Sequence, residues 1–145
     1  MRRTILLATR LVLAAVFVVA GALKLRDPAG FANDVANYQL MPALAPVMAV
    51  TLPSLEIVVG LALFLARWRR PAALCAAGLM AMFTVAAGTA YARGLDVACG
   101  CFGTTGGAIG WTTLVRDLAL LGAAILVVAL ERRSWTTNPI AVDRN

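Results

Sequence analysis

Apolar residues run through this chain in four blocks of about twenty, separated by short charged stretches, and none of the blocks alternates with the period of two that marks a strand. A bilayer core of about 30 Å is crossed by about 20 mostly apolar residues in a helix, so the pattern predicts spans at about 4–23, 46–66, 71–92 and 111–130. Arg10 is the only charge in the first span and Glu56 the only one in the second. The third span carries none, and the fourth opens on Arg116 and Asp117, which can reach the interface by snorkelling. Between the first two spans, Asp27-Pro28 reads as the cap and first residue of a helix over 28–38 that stops before Pro42. Phe31, Val35 and Tyr38 share one face of it, ready to lie on the bundle or the lipid surface. The expected fold is an all-α membrane protein: one domain over 1–145, a four-transmembrane-helix bundle with a short interfacial helix between spans one and two. Residues 134–145 read as a polar, loosely ordered tail.

Charge sets the orientation. Arg2, Arg3, Arg10, Arg67, Arg69, Arg70, Arg132, Arg133 and Arg144 fall on one side of this map, and only Lys24, Arg26, Arg93 and Arg116 on the other. The positive-inside rule then puts both termini and the tail in the cytoplasm, with the loop between spans three and four outside. Trp68, Trp111 and Trp135 fall at span ends, where an indole prefers the headgroup layer. The alanines and glycines of span three, Gly78 and Gly88 among them, offer close helix contacts, which predicts a central place for it in the bundle. The first span has a rival reading as a secretory signal, because Arg2 and Arg3 precede an apolar run that ends at Ala20-Gly21-Ala22.

A chain 61% apolar and 14% charged fits a lipid solvent rather than a soluble globule, and its net charge of +6 belongs to the topology signals rather than to a nucleic-acid surface. It has no histidine, which removes the usual general base and the commonest nitrogen ligand, and it has no glycine-rich phosphate motif. The sharpest chemical signal is Cys99-Gly100-Cys101 in a glycine-rich loop beyond span three. Thiols one residue apart reach bonding distance only in a tight turn, which Gly100 permits, and an external compartment lets a disulfide form. Three readings stand: an exchangeable redox disulfide, a static bridge that braces the loop, and a thiolate pair for Cu(I), with Met41 on the same side. Cys75 lies within span three as a buried, small apolar residue.

Glu56 lies deep in span two on one face with Pro53 and Gly60, either paired within the bundle or as a proton-handling or small-molecule site. Lys24, Arg116 and Asp117 lie on the same side as the thiols, either as interfacial anchors or with one of the two cations, Lys24 or Arg116, favouring the thiolate.

Gly21-Ala22-Leu23-Lys24-Leu25, Asp27-Pro28, Phe31, Tyr38, Leu40, Pro42, Leu52-Pro53, Glu56 and Gly60 together resemble the DoxX/MauE superfamily. Ala92-Arg93-Gly94-Leu95-Asp96, Cys99-Gly100-Cys101-Phe102-Gly103, Trp111 and Arg116-Asp117 resemble its MauE branch, and the match runs from Leu11 to Leu130. The resemblance implies a four-helix bacterial inner-membrane protein that serves the maturation of an extracytoplasmic enzyme, methylamine dehydrogenase in the MauE case, through disulfide formation beside a thioredoxin-like partner. It implies a redox role for Cys99 and Cys101, supporting positions at Lys24, Glu56, Arg116 and Asp117, and a quinone as candidate cofactor, since DoxX relatives are linked to quinone-coupled sulfur oxidation. One cysteine pair is half of a two-pair relay, so either a partner domain supplies the second pair or the quinone takes electrons directly. The expected function is a membrane thiol-disulfide redox component. A non-catalytic anchor or assembly subunit with a structural loop disulfide is its rival, a Cu(I)-handling protein a more distant one, and self-association into a homo-oligomer stays open.

Overall fold

A computed structural model describes residues 2–65, 67–95 and 110–136, with side chains described over 4–65, 67–95 and 110–131. Five α-helices follow one another: α1 (Arg2–Arg26), α2 (Pro28–Asn37), α3 (Ala45–Ala62), α4 (Arg69–Ala92) and α5 (Trp111–Thr136), with a 3-10 turn at Pro42–Leu44 leading into α3. Among the described residues there is no strand. Four of the helical segments are long and apolar enough to cross a membrane: Thr4–Arg26, Pro42–Ala62, Arg69–Ala92 and Trp111–Glu131. The protein is therefore a multi-pass membrane protein, and the expected four spans and short intervening helix are present.

Small differences lie at the ends. The second span stops at Ala62 and closes in turns through Leu65, short of the expected 66. α5 runs through Thr136, so the first residues expected in the loose tail are helical, while 137–145 lie outside the described residues. α4 ends where Gly94 takes φ +66°, a left-handed conformation that suits glycine, so that Leu95 N–H donates to Ala90 O and Gly94 N–H to Tyr91 O.

The spans form a ring: α1 packs chiefly on α3 and then α5, and α4 chiefly on α5 and then α3. The expected central place for span three is not observed. No more of α4 than of α1 or α3 is buried, 33% in each case, because every span occupies a corner. Close approach occurs instead where α1 crosses α3. A Cβ on Gly21 would stand 2.7 Å from Pro53 O, and one on Gly60 would stand 3.0 Å from Ala14 O, whereas Gly78 and Gly88 have nothing within 4 Å. The pairings Gly21 with Pro53 and Gly60 with Ala14 show that α1 and α3 run antiparallel.

One stripe of α1 is buried: Arg10, Leu13, Ala14, Phe17, Ala20, Gly21 and Lys24, each with another member three or four residues along the helix. It meets Val59 and Leu63, the alanine-rich face of α4, and Ala124 and Val127 of α5 in the apolar core. Large apolar side chains such as Val47, Val58, Val85 and Ile125 point outward, as a lipid solvent favours. Both ends of the α1 stripe are charged: at one, Arg10 pairs with Glu131 of α5 at 3.8 Å; at the other, Lys24 meets Glu56.

Candidate functional site

Lys24 is 1% exposed and Glu56 2%, and Nζ donates to Oε1 across 2.5 Å. The elements that bring them together are the α1–α3 crossing and its two glycines. Gly21, one turn before Lys24, lets the α1 backbone settle against Pro53, Glu56 and Ile57, so a long lysine side chain at the rim of α1 turns inward instead of snorkelling. Two rings complete the surroundings of the ammonium: Phe83 of α4, with its centroid 4.6 Å from Nζ, and Phe31 of α2, at 5.1 Å. Both lie within range of a cation–π attraction, which grows as water is excluded. A buried charge needs a partner and filled hydrogen bonds. Lys24 has the partner, yet Glu56 Oε1 is the one acceptor its three N–H groups find among the described residues. Glu56 Oε2 is buried with no hydrogen-bond partner.

Asp117 is 3% exposed and accepts from its neighbour Arg116, Nε at 3.2 Å and Nη2 at 3.0 Å. It lines a void of about 20 Å³ together with Lys24, Glu56, Phe17 and Met80, a volume that suits about one water molecule. Lys24, Glu56 and Asp117 thus gather at one end of the bundle, while Arg116 keeps a partly exposed side chain at the rim.

On the other flank of Lys24 a chamber of about 410 Å³ lies between α2, the segment from Tyr38 to Met41 that follows it, α3 and α4. Its walls are apolar, and among the described residues Lys24 is the single charged one that lines it. α2 is held over this chamber in three ways. Asp27 caps it by accepting from Gly30 N–H at 2.9 Å, Phe31 is buried beneath it, and Arg93 at the end of α4 donates to Tyr38 O at 3.2 Å and to Gln39 Oε1 at 3.1 Å. Asp34 of α2 has one carboxylate oxygen buried without a partner, and burial, reinforced by Asp27, pushes its carboxyl above the usual range.

The structure brings together three of the residues singled out from sequence, Lys24, Glu56 and Asp117, and leaves Arg116 beside Asp117. Cys99 and Cys101 lie outside the described residues. Cys75 is exposed on the outer face of α4 rather than buried, which places it toward lipid. Among the described residues no group of three His, Cys, Asp or Glu side chains gathers to hold a metal. Sequence reasoning missed Phe83, which carries no signal beyond being apolar, and the clamp role of Arg93. It also missed the Arg10–Glu131 pair, although Arg10 and Lys24 stand fourteen residues apart on one helix face, as do Asp117 and Glu131.

Four apolar spans in a ring, with a lysine–glutamate pair buried beside an apolar chamber, define a small helical membrane protein built around an internal polar site. The chain belongs to the MauE family: the family model "Methylamine utilisation protein MauE" matches residues 2–130. It is 34% identical over 126 residues to the methylamine utilization protein MauE of Paracoccus denitrificans, a match covering 85% of this chain and 68% of the relative. No solved structure matches.

Proposed function

We propose that this protein is a thiol-disulfide redox component of the bacterial inner membrane, serving the maturation of an extracytoplasmic enzyme in methylamine utilisation. The Cys99–Cys101 disulfide oxidises two thiols of a thioredoxin-like or substrate protein. One partner thiolate attacks a sulfur of the pair to form a mixed disulfide, the partner's second thiol resolves it, and two electrons and two protons pass to Cys99 and Cys101. A lipid-soluble quinone supplies the oxidising capacity that restores the disulfide. Both termini lie in the cytoplasm and the cysteine loop outside, where a disulfide persists.

The observation that carries this reading is that the loop's two flanks meet at the same end of the bundle as the polar site. The loop leaves after Leu95, just beyond the Arg93 clamp, and returns at Gly110, seven residues before Asp117. Leu95 and Leu114 both pack on Ala87 and Ala90 at that end of α4. Family membership supports the same reading, because the relative is named for methylamine utilisation.

The test is thiol trapping in cells that express wild type, Cys99→Ser and Cys101→Ser at equal membrane levels. An impermeant maleimide is expected to label Cys99 and Cys101 only after mild reduction, and each Ser variant to leave partner thiols reduced. Partner oxidation that continues without either cysteine overturns the redox role and leaves an anchoring subunit with a structural loop.

A further inference from the structure

We propose that the chamber beside Lys24 binds the head of an uncharged, lipid-soluble carbonyl compound, its oxygen accepting a hydrogen bond from Lys24 Nζ. Three observations converge on this chemistry. The first is the unfilled donor capacity of Lys24: a buried ammonium offers three N–H groups, Glu56 takes one, and Phe31 and Phe83 offer ring faces rather than acceptor atoms. Lys24 is 1% exposed behind these two rings, so an oxygen acceptor entering the chamber reaches Nζ as a ring turns aside, and then fills what the protein leaves open.

The second is size and access. About 410 Å³ lies within the range of pockets that enclose small organic ligands. Met41 (54% exposed), Met82 (39%) and Val85 (64%) line the chamber and also stand on the outer surface among other apolar side chains. A mouth rimmed in this way admits a molecule from lipid more readily than one from water, and flexible methionines adapt to a bulky apolar body.

The third is charge. Glu56 already balances Lys24, so an anionic head would put a second negative charge beside a buried pair that is neutral as a whole. A neutral carbonyl adds an acceptor without adding charge, and a flat conjugated head suits the two aromatic walls. A quinone has this chemistry. The site therefore gives the acceptor of the proposed thiol exchange a place to bind; its purpose rests on that reading, but its measurement does not.

The test uses the full chain in phosphatidylcholine nanodiscs, titrated with decylubiquinone as the neutral carbonyl probe and with decanoate as an anion of similar chain length. Wild type is expected to bind decylubiquinone at a stoichiometry of about one and decanoate at least tenfold more weakly. Ala86→Trp, which fills the chamber from α4 without touching the ion pair, is expected to weaken decylubiquinone at least tenfold. Lys24→Met combined with Glu56→Leu should do the same, and a Cys99→Ser/Cys101→Ser protein should bind like wild type. Equal affinity in wild type and Ala86→Trp, tighter binding of decanoate, or no binding at all overturns the site. The two readings fail separately. Loss of partner oxidation in the cysteine variants with no quinone binding leaves the thiol chemistry standing and removes the site, whereas quinone binding with cysteine-independent partner oxidation does the reverse.

Discussion

At the scale of single residues, the Lys24–Glu56 pair is a costly arrangement, and its energetics are asymmetric. Removing one member leaves the other buried without compensation, a loss of about 3–5 kcal/mol, whereas replacing both with apolar side chains of similar volume is close to neutral. Lys24→Met and Glu56→Gln are each expected to lower stability in detergent unfolding by several kcal/mol, and Lys24→Met/Glu56→Leu by less than either. Losses that simply add would show that the two side chains act independently. Part of this site was legible beforehand: a glutamate deep in an apolar run needs a partner, and Lys24 is among the few charges on that side of the map. The partner's identity was not, since a lysine two residues from a helix end ordinarily snorkels outward. What turns it inward is Gly21 and the ring faces of Phe31 and Phe83, contacts between helices that no local pattern announces.

At the scale of elements, the glycines separate what composition suggests from what packing uses. Span three is rich in small residues, yet Gly78 and Gly88 face open space, and the tight crossing belongs to Gly21 and Gly60 on α1 and α3. A stripe of small residues shows that close approach is affordable but not which neighbour takes it up, so helix existence and approximate length were readable while the pairing of helices was not. Expected consequences follow for stability. Gly21→Ala sets a Cβ against the Pro53 carbonyl, backbone that cannot swing aside, and should cost about 1–3 kcal/mol. Gly60→Ala should cost less, since the backbone it meets, Ala14 O at 3.0 Å and Val18 N at 3.1 Å, stands farther off than Pro53 O does from Gly21, although the stiff Val18 methyl at 2.8 Å must also shift. Gly78→Ala and Gly122→Ala meet nothing and should gain about 0.5–1 kcal/mol each from helix propensity. Thermal midpoints of the four variants in one detergent give the ranking, and a Gly21→Ala midpoint at or above wild type would contradict the described crossing. α2 was the most readable element of all, because Asp27-Pro28 and the Phe31, Val35, Tyr38 face are local signals, and the structure places the helix at 28–37.

At the scale of the whole molecule, the charges at the two ends of the ring differ in kind as well as number. One end joins Arg10 to Glu131 and carries Arg67 between α3 and α4 and Arg69 and Arg70 at the start of α4; the other holds Lys24, Glu56 and Asp117, roofed by α2. An even number of crossings returns both chain ends to one side, so a single measurement of sidedness fixes the rest. Asn33, exposed on α2, and Arg67, exposed between α3 and α4, mark opposite ends. In a background with Cys99 and Cys101 changed to Ser, an impermeant maleimide added to intact spheroplasts is expected to label Asn33→Cys and to spare Arg67→Cys until the membrane is opened. Cys75, on the lipid-facing side of α4, should stay silent to this reagent in both states. The reverse pattern would put the cysteine loop in the reducing cytoplasm, where a strained Cys-Gly-Cys disulfide is not maintained, and the thiol chemistry proposed for it would lose its compartment.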